Sequence, residues 1–148
     1  MTNQTNNPII NAPGTDHMRP FMYHAIMDCF NCTASLITDA ATIKTWADSL
    51  ATSICATDTN DTNIVLTAAT NPINVGYTAT RILDTGAIIA NFLNSQGHIY
   101  LDIVNTEYFD PAKVEALIQQ YFGSNISINK ILIPRNASAP LPPPAPPQ

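Results

Sequence analysis

The sequence predicts an α+β domain, a two-layer α/β sandwich in which an antiparallel sheet carries two helices on one face. Three observations lead there. Extended runs and helical stripes alternate in the order strand, helix, strands, helix, strand. The two helical stripes each open on a capping residue. The extended runs in the middle of the chain are separated by short turn signals, as antiparallel neighbours require.

Residues 1–20 are rich in Asn, Thr and Pro without periodicity and read as an N-terminal polar arm. Residues 21–30, FMYHAIMDCF, read as a buried strand. Thr38 or Asp39 can cap a helix running to about Cys55, whose apolar face is Ile43, Trp46, Ala47, Leu50 and Ile54. The stretch ATDTNDT is a loop, residues 63–68 a short strand and TNPINVG a turn. Tyr77 to Thr85 reads as a strand that Gly86 interrupts, with Ala87 to Leu93 continuing extended. Asn94-Ser95-Gln96-Gly97 is a four-residue hairpin candidate. From His98 to Asn105 the pattern alternates, with Ile99, Leu101 and Ile103 on one side and His98, Tyr100 and Asp102 on the other. Asp110-Pro111 starts a second helix with stripe Val114, Leu117, Ile118, Tyr121 and Phe122, and Gly123 stands at its C-terminal cap. Residues 126–133 form the last strand. The domain spans residues 21–135, and 136–148 form a Pro-rich tail with a polyproline II bias, a solvated segment or a strap on a partner.

Composition narrows the function classes. Of the 148 residues 45% are hydrophobic, enough for one core. Charged residues make up 11%, against about a quarter in an average domain. Asn and Thr replace them, and such a neutral polar surface is cheap to dehydrate against a neighbour. With six Lys plus Arg and a net charge of −5, no basic patch for nucleic acid forms. No apolar run is long enough to span a membrane, and the N-terminus lacks the basic and apolar regions of a secretory signal. Five Asn-x-Ser/Thr sequons then follow from Asn/Thr richness alone. The odd count of three cysteines indicates reduced thiols. Cys29 and Cys32 have C-x-x-C spacing, but they lie at a strand end without a second pair, so they read as small, partly buried side chains rather than a zinc or redox motif.

Several segments resemble the small prokaryotic and phage-type S-adenosylmethionine decarboxylases. These are YHAIMDCFNC, with His24 eight residues before Cys32, and GYTATRILDTGAIIAN, from Gly76 to Asn91. Asp102-Ile103-Val104-Asn105-Thr106, Phe109-Asp110-Pro111 and the closing KILIPR ending in Arg135 follow in family order. The resemblance covers about residues 21–135 and implies that family's fold. It also implies what this chain lacks. The family makes a pyruvoyl electron sink from an internal serine, whose hydroxyl attacks the preceding carbonyl. That serine falls on Gly86, the two family histidines on Ala87 and Asn91, and the catalytic cysteine on Thr106. The reading assigns no catalytic residue, no cofactor and no metal. Thr85 retains a hydroxyl that is formally able to attack its own preceding carbonyl.

The remaining polar candidates for a ligand site are His24, His98, Tyr100 and Asp102, weighed against a solvated strand face. The favoured function is a non-catalytic structural or assembly protein on a decarboxylase-like fold, a capsid-associated or decoration component of a phage virion. Its expected partners are further copies of itself, since the second sheet face also carries apolar positions, and other virion proteins reached through the arms. No nucleic acid and no membrane are expected, and the location is the virion or the host cytoplasm. Two alternatives stand beside it: an S-adenosylmethionine-binding enzyme with decarboxylase-like or lyase chemistry, and a regulatory pseudoenzyme of an active decarboxylase.

Overall fold

Alternation of large apolar and polar residues builds six strands, and the computed structural model describes them within residues 20–55, 60–67 and 75–135. The elements are β1 (Met22–Phe30), α1 (Ala34–Ile37), α2 (Ala40–Ile54), β2 (Thr62–Thr67), β3 (Gly76–Leu83), β4 (Gly86–Leu93), β5 (His98–Asn105), α3 (Pro111–Phe122) and β6 (Ser127–Arg135). The strands form one antiparallel sheet in the order β2-β3-β4-β5-β1-β6. The fold is the two-layer α+β sandwich expected. The 136–148 tail and all of the N-terminal arm except Pro20 lie outside the described residues.

Strict alternation puts Tyr23, Ala25, Met27 and Cys29 of β1 and Ile99, Leu101 and Ile103 of β5 on the buried inner face. α2 and α3 cover that face. Asp39 caps α2 by accepting from the Ala41 N–H at 3.2 Å, and Asp110 caps α3 by accepting from Ala112 at 2.9 Å. Trp46 from α2, Phe92 from β4 and Phe122 from α3 meet edge to face, with centroids 5.3–5.7 Å apart. This triad ties both helices to the centre of the sheet.

Three details depart from the expected layout. The run from Tyr77 to Leu93 is not one interrupted strand. It folds back at Asp84-Thr85, so Leu83 pairs with Gly86 in a two-residue hairpin. Period-2 patterning continues through such a tight turn, and for this reason the sequence hid it. A four-residue helix, α1, precedes α2; one turn is too short to establish a periodicity. On α2, Ala51 is fully buried and Ile54 only partly. The hairpin at Asn94–Gly97 is present as expected, joining Leu93 to His98.

One polar network is built into the inner layer. Arg81 of β3 is buried and donates to Asp48 of α2 at 2.6 Å and to Thr62 of β2 at 3.1 Å. Thr62 and Lys44 also donate to Asp48, at 2.8 and 2.9 Å. A buried guanidinium would be costly alone; here its carboxylate partner stands at the helix surface. The network pins α2 to the β2–β3 end of the sheet.

Candidate functional site

The outer face of the sheet carries the polar residues singled out from sequence. His24, Ile26, Asp28 and Phe30 of β1 share it with His98, Tyr100, Asp102 and Val104 of β5, since both strands bury the alternate positions. Ala87, Ile89 and Asn91 of β4 lie on the same side. Among the described residues, no helix covers this face. Ile82, Ile89, Ile131 and Ile133 on it are 66%, 43%, 45% and 38% exposed, an apolar surface a lone chain leaves in water.

The four candidates separate into two pairs. His24 Nε2–H donates to the Asp102 carboxylate at 3.0 Å, across the β1–β5 boundary, with both side chains part-buried. Tyr100 bonds instead to His98 Nδ1, at 3.2 Å. The His98 ring also meets Phe30 edge to face at 4.8 Å, and Tyr100 meets Phe30 at 6.4 Å. His98 and Asp102 are four strand residues apart, about 13 Å. The expected trio of His98, Tyr100 and Asp102 therefore shares a face but lines no common pocket. It resolves into an aromatic cluster at one end and an acid–base pair near the other. Phe30 was not singled out from sequence; its place two residues after Asp28 on an alternating strand was the available signal.

Of the four positions that the resemblance singles out, Gly86, Ala87 and Thr106 lie at and beside the Asp84-Thr85 turn, while Asn91 lies five residues along β4, opposite Tyr100 of β5. Gly86 opposes Asn105 of β5. A Cβ added at Gly86 would overlap the Val104 carbonyl oxygen and stand 2.7 Å from its carbon and 2.9 Å from the Asn105 Cα. Strand β5 is thus packed so closely that only glycine fits. The Thr85 carbonyl, which precedes Gly86, accepts the Thr106 N–H at 3.0 Å. The Thr85 hydroxyl donates to the Asn105 side-chain oxygen, and the Asn105 amide donates to the Glu107 carbonyl at 2.9 Å. Ala87 opposes Val104, and Asn91 accepts a hydrogen bond from Thr78 at 2.9 Å.

The two thiols are buried more completely than the partial burial expected. Cys29 is fully buried, and burial first, then the neighbouring Cys32 and Asp28, push its thiol up to about 12. Burial raises Cys32 to about 11. Neither supplies a thiolate near neutrality. No group of three or more His, Cys, Asp or Glu side chains fit to hold a metal occurs among the described residues. No helix among them is long and apolar enough to cross a membrane.

Residues 23–132 match the sequence profile of the family described as S-adenosylmethionine decarboxylase. The chain belongs to that family. A solved structure of the adenosylmethionine decarboxylase from Aquifex aeolicus superposes with a TM-score of 0.61, covering 82% of this chain and 95% of that one at 18% identity. At that identity the likeness speaks to the fold, and the shared α+β sandwich is what it shows. No curated protein matched in sequence. In this fold Gly86 packs against β5, and the outer sheet face carries the His24–Asp102 pair.

Proposed function

We propose that this chain is a non-catalytic, structural member of its family, an assembly protein that associates with copies of itself through the outer face of the sheet. The observation that carries the reading is the closure at position 86. The residue has no hydroxyl to start an ester, and the β5 backbone occupies the space where any side chain would begin. Ala87, Asn91 and Thr106 stand where proton-transfer groups and a thiol would be expected from the resemblance. The apolar outer face then acquires a different use. Ile82, Ile89, Ile131 and Ile133 are exposed on a face with few charges, and a second copy laid against it removes that surface from water. An extension of the same reading makes the assembly part of a virus particle, in keeping with the charge-poor surface; particle proteomics lacking this chain would contradict the extension.

Native mass spectrometry of the full chain tests the reading. A multiple of the 16.0 kDa chain is expected. Ile89→Lys, which places a charge at the middle of the outer face, is expected to lower the stoichiometry while circular dichroism stays unchanged. A wild-type monomer at micromolar concentration contradicts the proposal.

One observation favours a second reading. The His24–Asp102 pair is an acid–base arrangement of a kind that can bind a polar ligand. Titration calorimetry with S-adenosylmethionine decides it: heat that disappears in His24→Ala supports a retained ligand site, and no heat removes the reading.

A further inference from the structure

The two edges of the sheet are built differently. At one edge β6 carries Lys130, Pro134 and Arg135. Proline removes a ladder donor and charges discourage a neighbour, the usual devices that keep an edge strand single. At the other edge β2 reads Thr-Asn-Ile-Val-Leu-Thr, with no charge, no proline and no glycine. Its one pairing partner among the described residues is β3. Every second residue of such a strand points its N–H and C=O outward, where they need water or another strand. Val65 and Leu66 are 53% and 56% exposed, and they face opposite sides of the sheet.

We propose that β2 is a second self-association interface, at which β2 of one copy pairs antiparallel with β2 of another across a twofold axis normal to the sheet. The register follows from the pleat. Such an axis keeps the helices of both copies on the same side, so inner-face residues must oppose inner-face residues. Ile64 and Leu66 oppose Ala79 and Tyr77 on the inner face, and Val65 opposes Thr78 on the outer. An axis through Val65 sets Val65 against Val65 and Ile64 against Leu66 twice, so that apolar meets apolar in all three pairs. An axis through Ile64 sets Asn63 against Val65 and Thr62 against Leu66, polar against apolar each time. The first register is self-complementary and the second is not. With no charge on the strand, a copy of itself meets no like-charge repulsion. The occupant is therefore a second copy in the register centred on Val65.

This interface is distinct from the outer face proposed above, and the test separates them. Val65→Cys in the full chain is treated with a mild oxidant, with wild type as the background for the buried native thiols. Antiparallel partners have Cα atoms about 5 Å apart, within disulfide reach, so a covalent dimer is expected. Leu66→Cys, and likewise Ile64→Cys, places its own symmetry mate about 8 Å away, beyond that reach, and is expected to cross-link at least tenfold less. Val65→Lys is expected to lower the native stoichiometry with an unchanged circular dichroism spectrum. The Val65→Cys cross-link is expected to persist in an Ile89→Lys background, where the outer face is disabled. Equal cross-linking at 65 and 66 overturns the register. No cross-link at 65 together with an unchanged native mass for Val65→Lys overturns the interface itself. An Ile89→Lys chain with unchanged stoichiometry but an intact 65–65 cross-link removes the outer-face reading and leaves this one standing.

Discussion

A seryl side chain at position 86 would begin with a Cβ inside the Val104 carbonyl oxygen. Gly86→Ser, a hydroxyl placed where the resemblance expects the family's nucleophile, is therefore expected to give neither cleavage nor a stable fold. The overlap is with backbone, which cannot rotate away, so the cost is about 3 kcal/mol or more. Urea unfolding of the variant measures it, and a midpoint equal to wild type would contradict the packing described. Sequence made the chemical loss at this position legible, because glycine has no hydroxyl. It could not reveal the steric closure, which arises from the pairing of Gly86 with Asn105 at the far end of the next strand. The same limit applied to His24 and Asp102. Each was legible as a polar residue on an alternating strand, but their contact spans 78 residues and depends on register. The buried cysteines permit a second expectation. With Cys29 raised to about 12 and Cys32 to about 11, neither should react with a thiol reagent at pH 8 in the native state, and both should react at once in denaturant. Rapid native labelling of either would contradict their burial.

The elements that announced themselves were those with a cap and a repeated stripe. Asp39 and Asp110 stand where α2 and α3 begin, and Gly123 closes α3 with its φ at 128°. The Asp84-Thr85 turn stayed hidden because alternation runs unbroken through a two-residue hairpin, and α1 because one turn has no period. The link between α2 and the β2–β3 end of the sheet is electrostatic as well as apolar. Burial pulls Asp48 upward, but hydrogen bonds from Lys44 and Thr62 and the charges of Lys44 and Arg81 outweigh it, so its carboxyl lies below the ordinary carboxylate value. A depressed folded-state pKa stabilises above the unfolded value and is lost as pH falls through the folded one. Asp48→Asn is thus expected to destabilise the protein near neutrality and to flatten the acid limb of stability below about pH 4. Denaturant midpoints measured from pH 7 to pH 2 check this, and an unchanged acid limb in the variant would assign the loss elsewhere.

For the whole molecule, one sheet face is closed by helices and the other is open. The closed face explains stability. Trp46, Phe92 and Phe122 bind both helices to the central strands, and the family's sandwich survives at low identity because alternation and stripes, not particular residues, specify it. The open face carries Ala87 and Asn91 where the resemblance would place histidines, and that face is where self-association is proposed. The non-catalytic reading requires the chain to stay intact through the Asp84-Thr85-Gly86 turn. Denaturing mass spectrometry of the purified full chain examines this directly. A single species at the full chain mass of 16.0 kDa is the outcome this account predicts. Two fragments separated between Asp84 and Thr85, the C-terminal one carrying a 2-oxobutanoyl end in place of an amine, would contradict it.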